Sequence, residues 1–318
     1  MKKILSLLLL APLFAGCDDP VTPNAPGDNA NGNRGRVEQN AITYRSDDGN
    51  VQLSQRAQRL EMPALRGGTN NLFVVHTTGG KVNYAVEYDQ NKRASRWTAY
   101  ATYKGWSSNE KYWNRNYWSG ATWNGLTWSG DPFQPDPLIP YASRTTLDDH
   151  SRNGHDRGHM LGSADRLNSM EANGQTFYLS NMHPQLAGFN QRGIWYNLEG
   201  RLRSNYDRDD FRDTLYIVKG GTIDANYHTA TGRSGRALIV PDYFYMALLC
   251  KNRESSQGGY KAIAFWMKHE ANTRNDYASF AISIDELEKK TGLDFFCNLP
   301  DELENVVERN LVLSAWKL

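Results

Sequence analysis

Residues 154–160 read GHDRGHM, and the chemistry that this stretch can perform depends on whether it forms a helix. His155 and His159 stand four residues apart in it. On a helix, that spacing puts both imidazoles on one face, where they could hold a zinc ion and make the protein a zinc hydrolase. However, Gly158 disfavours a helix, and no hydrophobic periodicity surrounds the motif. On a strand or turn, only one of the two histidines needs to carry chemistry.

Length and composition are those of a folded chain without a global charge bias. The chain has 318 residues, a formal net charge of +1 and 12% aromatic residues. That length suffices for one large domain or two small ones with an ample core. The balanced charge does not indicate a domain that is basic over its whole surface and binds nucleic acid for that reason. Any site for a polyanion must therefore be a local cluster of side chains.

The N-terminus has the pattern of an export signal. Residues 1–16 combine two lysines, an apolar run too short to span a bilayer, and small residues before Cys17. The ending LFAGC resembles the lipobox of bacterial lipoproteins. This likeness implies that Cys17 is lipidated and anchors the exported protein to a bacterial membrane, in the periplasm or at the cell surface. Residues 17–40 are rich in Pro, Asn, Gly and Asp and predict a flexible tether, so we expect the folded domain to comprise residues 41–318.

The rest of the chain predicts an α+β fold with a central mixed or antiparallel β-sheet and packed helices. Helical patterns cover about 192–206 and 283–292, where Ser283 is placed as N-cap and Glu286 completes a capping box. Strand-like runs occur on both sides of the first helix, at 72–78, 82–89, 96–103, 214–223, 237–249 and 261–269.

A tryptophan-rich segment follows the third predicted strand. It carries five tryptophans between residues 106 and 128, and four of them recur at intervals of five, which fits neither a helix nor a strand. We interpret the segment as a loop packed onto the sheet by its aromatic rings, with a stacking platform for bases or sugars as the alternative. Farther along, Cys250 and Cys297 are either a disulfide or two separate thiols, and both possibilities stay open.

Residues 179–203 combine a helical pattern with many polar side chains. Apolar residues four apart form a stripe that faces a core. Glu199 and Arg203 lie on the neighbouring stripe, where a carboxylate and a guanidinium at this spacing commonly form a solvated surface pair. The amide side chains that crowd the entry to the helix favour a functional site instead.

These segments together resemble the DNA/RNA non-specific endonucleases of the ββα-metal superfamily, which include mitochondrial endonuclease G. The matching motifs are DRGHM at 156–160, LSNMHPQ at 179–185 and FN…W..LE at 189–199, with further likeness in YIVKGGT and VPDYFY downstream. The resemblance implies a ββα-metal active-site motif with DRGH on a strand. It also implies a metal-dependent endonuclease whose substrates are DNA and RNA, cut with little sequence preference; a homodimer is left open.

The resemblance assigns roles to individual residues. It makes His159 the general base that deprotonates the attacking water, a task that suits the ordinary pKa of imidazole. Arg157 corresponds to a phosphate-binding arginine, and Arg203 to an arginine near the scissile phosphate. Asp156 corresponds to a residue that orients its neighbours at the substrate, and Glu199 to the acid that holds water on the metal.

Asn190 corresponds to the asparagine that is the single protein ligand of Mg²⁺, or of Mn²⁺ in its place, with waters completing the octahedron. The family usually places its asparagine and glutamate eight residues apart, whereas Asn190 and Glu199 are nine apart. Gln191 lies at the usual distance of eight residues from Glu199. Asn190 instead matches the family in its neighbouring residues, since it follows a phenylalanine in the FN pair that comes after PQ. A bulge or nonhelical turn would absorb the one extra residue between Asn190 and Glu199. If neither side chain reached the metal, the chain would be a catalytically impaired, nuclease-like binding protein.

Two further residues are interpreted by the same resemblance. The family has a phosphate-binding arginine near the start of a strand, and in RASRW at 93–97 we favour Arg96 over Arg93 for that role. His155 falls where the family usually carries a bulky residue, so we expect it to pack rather than to catalyse.

Overall fold

The computed structural model describes residues 32–252 and 259–318 of the chain. Within these ranges the strands are β1 (Thr43–Ser46), β2 (Asn71–Thr78), β3 (Lys81–Asp89), β4 (Ala94–Tyr103), β5 (Thr122–Trp123), β6 (Leu126–Thr127), β7 (Asp156–His159), β8 (Met182–Gln185), β9 (Thr214–Gly221), β10 (Tyr227–Thr231), β11 (Ala237–Pro241), β12 (Tyr243–Lys251), β13 (Tyr260–Lys268) and β14 (Ala281–Ile282). The α-helices are α1 (Asn33–Gln39), α2 (Leu53–Ala57), α3 (Met170–Gln175), α4 (Ala187–Asn190), α5 (Ile194–Arg201), α6 (Ile284–Thr291) and α7 (Asp301–Arg309). A π-helical turn, Leu202–Tyr206, directly continues α5.

A mixed sheet of eight strands forms the centre of the fold, in the order β1-β2-β3-β4-β9-β12-β13-β14. β1 runs parallel to β2, while the other neighbouring strands are antiparallel. The two-stranded ribbons β5–β6, β7–β8 and β10–β11 lie outside this sheet. The α+β class and the mixed sheet predicted from the sequence are therefore confirmed.

Side chains alternate between the two faces of the central sheet, and each face carries its own core. In β12, Tyr245 and Ala247 belong to the cluster that also contains Leu287 of α6. Met246, between them, belongs to the cluster that contains Trp195 of α5. We call these two sides the α6 face and the α5 face; the sheet is the layer that separates them.

The predicted strands all form, with one break. The run at 237–249 divides at Asp242 into β11, which pairs with β10, and β12, which joins the central sheet. The predicted helix at 192–206 is α5 followed by the π-helical turn. Ser283 caps α6 as predicted, since its Oγ accepts a 3.1 Å hydrogen bond from the backbone N of Glu286.

The described chain begins inside the segment predicted to be a tether. Helix α1 lies there, and the side chain of Asn33 is buried at its start. Asn33 Nδ2 donates to Ala57 O and Pro63 O, each at 3.0 Å, and Asn33 Oδ1 accepts from Leu65 N at 2.8 Å. The prediction of a tether up to residue 40 therefore extends too far, because these hydrogen bonds fix its last part to the domain.

The tryptophan-rich loop packs onto the domain, as the sequence analysis favoured. Trp118 is fully buried and Trp123 is 9% exposed, in one cluster with Phe177 and Tyr178. Trp118 Nε1 also donates to Asn173 Oδ1 at 2.7 Å. The packing interpretation is confirmed for these rings.

Cys250 and Cys297 are separate buried thiols. Cys250 belongs to the core on the α5 face, whereas Cys297 Sγ lies 3.7 Å from the carbonyl oxygen of Met62, a member of the core on the α6 face. The sheet separates the two cysteines, so they form no disulfide. Cys17 and the predicted signal segment 1–16 lie outside the described residues. In the described part of the chain, no helix has the length and apolar character needed to cross a membrane.

Candidate active site

The ribbon β7–β8 carries the DRGH motif. Strand β7 pairs antiparallel with β8, so the motif is a strand, as the resemblance implied. A Cβ on Gly158 would lie 2.1 Å from Gln185 Oε1 and 2.5 Å from Gln185 Cγ, so any other residue at this position would displace the buried side chain of Gln185. The chain then continues into α4 and α5, which completes a β-β-α arrangement.

The two histidines of GHDRGHM have different surroundings. The centroid of the His155 ring lies 6.3 Å from that of His228 and 6.1 Å from that of His269. The His159 ring packs against Phe133 and Phe177 instead, at centroid distances of 5.7 and 5.2 Å. The zinc hydrolase interpretation is therefore wrong, because it needed both imidazoles on one face of a helix. His155 packs among other rings.

His159 is an uncharged imidazole with an unpaired ring nitrogen. Its Nε2 is buried and forms no hydrogen bond with any residue in the described ranges. Burial, reinforced by the positive charge of Arg115, lowers the pKa of His159 to about 3. In a neutral imidazole one ring nitrogen carries a lone pair that can accept a proton. The Nε2 atom of His159 is one of several buried polar atoms without a partner in the described ranges, as are both ring nitrogens of His150.

Two arginines flank this histidine through shared aromatic rings. Arg157 Cζ lies 3.9 Å from the centroid of the Phe133 ring, and Arg115 Cζ lies 5.2 Å from that of Phe177. The side chain of Arg115 remains 46% exposed, while its guanidinium pairs with Asp131, to which Nε donates at 2.7 Å and Nη2 donates as well. The sequence analysis missed Arg115, because it lies in the tryptophan-rich loop that we interpreted only as packing. The only feature of the sequence that pointed to Arg115 as a site residue was its positive charge within a run of aromatic residues.

Asn190 is the last residue of α4, and a turn separates it from α5. Because Asn190 and Glu199 do not share one regular helix, this turn absorbs the extra residue between them. Asn190 Nδ2 donates to Asp156 Oδ2 at 3.1 Å, and Gln191 Nε2 donates to the same oxygen at 2.9 Å. The side chains of both residues considered as metal ligands, Asn190 and Gln191, therefore contact Asp156 at the start of β7.

Glu199 belongs to a buried network of charges beside α5. Lys219 Nζ lies 3.1 Å from Glu199 Oε1 and 3.7 Å from Asp165 Oδ2. Arg203 Nη1 donates to Asp165 Oδ1 at 2.9 Å. The sequence analysis missed both Lys219 and Asp165. A lysine within the apolar strand run at 214–221 was the available signal, since a buried lysine needs a carboxylate partner.

The two carboxylates of this network differ in their affinity for a proton. Burial raises the pKa of Glu199 above its ordinary value; Lys219 works against this rise and Asp165 adds to it. Burial also acts to raise the pKa of Asp165, but Arg203 and Lys219 outweigh it and hold that pKa below its ordinary value. Asp165 therefore has the lower affinity for a proton of the two carboxylates, and Glu199 has the higher.

Arg96 lies apart from these residues, which corrects the sequence analysis. It is 4% exposed on β4, and carboxylates surround its guanidinium. Nε donates to Asp224 Oδ2 at 2.8 Å, Nη1 to Glu87 Oε2 at 3.2 Å and Nη2 to Asp89 Oδ2 at 3.1 Å. A guanidinium enclosed by three acids has neither the exposure nor the spare charge to bind a phosphate. Its place at the start of a strand was a misleading signal.

The oxygen donors near β7 fit a hard divalent cation. Asn190 uses its amide nitrogen for Asp156, and its Oδ1 forms no hydrogen bond within residues 32–252 and 259–318. Mg²⁺ and Mn²⁺ prefer such amide and carboxylate oxygens over thiolates, and Mg²⁺ keeps most of its waters. The side chains present at this point therefore match the predicted ion.

Three comparisons place the chain among known proteins. Residues 68–302 match the DNA/RNA non-specific endonuclease family. Nuclease C1 of Cunninghamella echinulata var. echinulata is 34% identical over 167 residues, which are 51% of this chain and 64% of that protein. A nuclease of a Nostoc species is 29% identical over 232 residues, 72% of this chain and 76% of that protein. The chain thus spans just under two thirds of the length of the first relative.

The fold is also similar to that of a chain in the crystal structure of the EndoG/EndoGI complex. The TM-score is 0.53 at 22% sequence identity, with 72% of this chain and 88% of that chain covered. The family match includes the whole β-β-α arrangement and the charge network beside it. The chain therefore belongs to the DNA/RNA non-specific endonuclease family.

Proposed function

We propose that this chain is a metal-dependent endonuclease that hydrolyses phosphodiester bonds in DNA and RNA with little sequence preference. The observation that carries this assignment is the unpaired, buried Nε2 of His159 beside two guanidinium groups. His159 takes the proton of the attacking water at this nitrogen. Without substrate, burial and Arg115 lower its pKa to about 3, and an anionic phosphate beside the ring raises that pKa toward the working range of a general base.

Arginines bind and neutralise the phosphate. Arg157 stacks on Phe133 beside His159, and its forked guanidinium suits nonbridging phosphate oxygens. Arg115, on the opposite aromatic wall, adds positive charge and binds phosphate only by sharing its guanidinium with Asp131. Contacts of this kind read the backbone and not the base edges, which accounts for low sequence preference. Arg203, held by Asp165, adds positive charge that stabilises the negative charge developing in the transition state.

Asn190 is the residue that would hold Mg²⁺ or Mn²⁺ through Oδ1, while Asp156 fixes its amide. When bound, such an ion supplies Lewis-acid stabilisation of the transition state and of the leaving oxygen. Glu199, hydrogen-bonded to Lys219, accepts hydrogen bonds from water on this side of the site. The turn after α4 supports Asn190 in this role, because it removes the objection raised by the nine-residue spacing.

Nicking of supercoiled plasmid by the purified protein, with Mg²⁺ and with EDTA, tests this proposal. We expect nicking that EDTA abolishes. His159→Ala should lower the rate at least about 100-fold, the loss typical of a missing general base, in a protein that is still folded at the assay temperature. His155→Ala, from the same motif, is the matched control and should retain activity. Nicking by His159→Ala at the unmodified rate would reject the assignment of the base, and nicking in EDTA would reject the metal dependence.

We further propose that the protein is exported and anchored to a bacterial membrane by a lipid on Cys17, on the basis of the lipobox-like LFAGC. Cells fed labelled palmitate should label the unmodified protein and not Cys17→Ser, and the variant should leave the membrane fraction. Equal labelling of the two proteins would reject lipidation at this residue.

A further inference from the structure

A second group of acidic side chains lies on the α6 face of the sheet, away from α5. Helices α6 and α7 border an open cavity of about 530 Å³. Asp285 and Glu288, one turn apart on α6, line it together with Glu308 of α7. One carboxylate oxygen from each of these three residues lies within 4.8 Å of the other two.

Glu308 distinguishes this cluster from ordinary surface acids. The residue is 6% exposed, and its Oε1 is buried without a hydrogen-bond partner in the described part of the chain. Withdrawing a carboxylate from water is costly unless a hydrogen bond, an opposite charge or a metal ion replaces the water. Because Glu308 faces Asp285 and Glu288, the missing partner has to be one that three carboxylates can share.

Neighbouring charges make the cavity more acidic rather than neutral. Asp294, Asp301 and Glu304 also line it, against one ammonium group, that of Lys289. Arg36 lies at its border and is 3.3 Å from Asp294. A cation from solution would therefore meet carboxylates on several sides of this cavity.

The proton affinities of the cluster agree with this geometry. Burial raises the pKa of Glu308 to about 10, and Glu288 and Glu304 contribute to the rise. Burial likewise raises the pKa of Glu288 to about 7, with Asp294 and Asp285 adding to it. Both shifts follow from the same packing that leaves Glu308 Oε1 buried without a partner in the described part of the chain.

We propose that Asp285, Glu288 and Glu308 form a structural site for a divalent cation that joins α6 to α7 and prefers Ca²⁺ to Mg²⁺. Carboxylate oxygens are ligands of hard cations. Ca²⁺ accepts an irregular shell of about six to eight oxygens at about 2.3–2.6 Å, whereas Mg²⁺ demands a near-ideal octahedron at about 2.0–2.1 Å, which three side chains on two separate helices are less suited to provide. The open side of the cavity admits waters that complete the coordination. Glu288 is already oriented, since its Oε1 accepts a 2.8 Å hydrogen bond from Phe295 N.

Thermal unfolding of the full chain, stripped of metal with a chelator, tests the site. The Asn190→Ala background removes the contribution of the proposed active-site ligand. We expect Ca²⁺ at one hundred times its Kd to raise the melting temperature by about 5 °C, and Mg²⁺ to raise it less. Glu308→Gln keeps the shape of the side chain and removes its charge, so it should melt at or above the parent temperature in chelator and lose the Ca²⁺ shift.

Two further variants make the result specific. Glu288→Gln should weaken Ca²⁺ binding at least about tenfold, because it removes a ligand charge. Glu286→Gln is the matched control on the same helix: Glu286 is exposed and lies 3.7 Å from Lys290, so the Ca²⁺ shift should persist.

An equal Ca²⁺ shift in Glu308→Gln and its parent, or no shift in the parent, overturns the site and leaves a shared proton as the partner of Glu308. A larger shift with Mg²⁺ than with Ca²⁺ overturns the stated preference. Since the readout is unfolding and not hydrolysis of DNA, the outcome is independent of the proposed nuclease activity.

Discussion

Lys219 Nζ lies 3.1 Å from Glu199 Oε1, and the lysine side chain has no exposed surface. The same ammonium group lies 3.7 Å from Asp165, which also pairs with Arg203. Asp165 therefore has two cationic neighbours at close range, and Glu199 depends mainly on one. Because Lys219 belongs to β9 and Glu199 to α5, the central sheet itself sets the position of the acid at the candidate site.

Replacing Lys219 by Met should lower the free energy of unfolding by about 3–5 kcal/mol, because it leaves buried carboxylates without their cation. Urea denaturation measures this loss. Lys268→Met is the control, since Lys268 is an exposed lysine that pairs with Glu270 at 3.0 Å, and its stability should not change measurably. If Lys219→Met lost no more stability than this control, the buried network would not stabilise the fold.

Asn190 and Gln191 donate to the same oxygen of Asp156, but we expect only Asn190 to bind the metal. Asn190→Ala should raise the Mg²⁺ concentration needed for half-maximal nicking at least about tenfold, because a ligand is lost, whereas Gln191→Ala should raise it less than about threefold. A titration of Mg²⁺ at fixed plasmid concentration checks both values. The reverse order would transfer the ligand role to Gln191.

Gly193 should tolerate no side chain, whereas Gly200 should tolerate one. A Cβ on Gly193 would stand 2.2 Å from the carbonyl oxygen of Gly188, while a Cβ on Gly200 would meet nothing within 4 Å. Gly193→Ala should destabilise the protein by about 1–3 kcal/mol, because backbone atoms have to move apart. Gly200→Ala should stabilise it by up to about 1 kcal/mol through helix propensity. Paired denaturation curves decide this, and equal effects of the two substitutions would contradict it.

Buried neutral histidines should make the fold sensitive to acid. Burial lowers the pKa of His150 to about 3, although Asp149 acts in the opposite direction. In the unfolded chain this pKa is about 6.5, so the unfolded state binds the extra proton as the pH falls. The contribution of His150 to stability is therefore complete above pH 6.5 and is lost as the pH falls toward 3.

The variant His150→Phe removes this titration. Below pH 6.5 its stability should fall less steeply than that of the unmodified protein, by up to about 1.4 kcal/mol per pH unit. Urea denaturation at a series of pH values between about 5 and 7.5 compares the two slopes. Parallel profiles would mean that His150 takes up its proton equally in both states.

The sheet could be predicted because its strands are long apolar runs such as β3 and β12, and the DRGH motif could be placed by resemblance. A nonhelical turn after Asn190 was one of two ways to absorb the extra residue, and the sequence could not distinguish it from a bulge, because the close approach of Gly193 to Gly188 O is visible only in the folded chain. Helix α7 was not predicted, because most of its residues are charged or polar and its apolar side is narrow. Val307 is the apolar residue of this helix that is buried.

The arginines illustrate the same limit. Arg96 and Arg115 both stand among aromatic residues in the sequence, and nothing local distinguishes them. The fold gives Arg96 three carboxylates and almost no exposure, whereas it gives Arg115 one carboxylate, that of Asp131, and a partly open position beside Phe177. Which arginine can receive a phosphate is therefore a property of tertiary structure.

Phe177 joins the candidate base to the tryptophan-rich loop. Its ring centroid lies 5.2 Å from that of His159 and 6.4 Å from that of Trp118, and Trp123 follows 5.6 Å beyond Trp118. One aromatic ring, that of Phe177, therefore separates His159 from Trp118, and the fluorescence of tryptophan depends on its immediate surroundings. Intrinsic fluorescence can therefore report the arrival of a phosphodiester and the departure of the cleaved strands in real time, without an added dye.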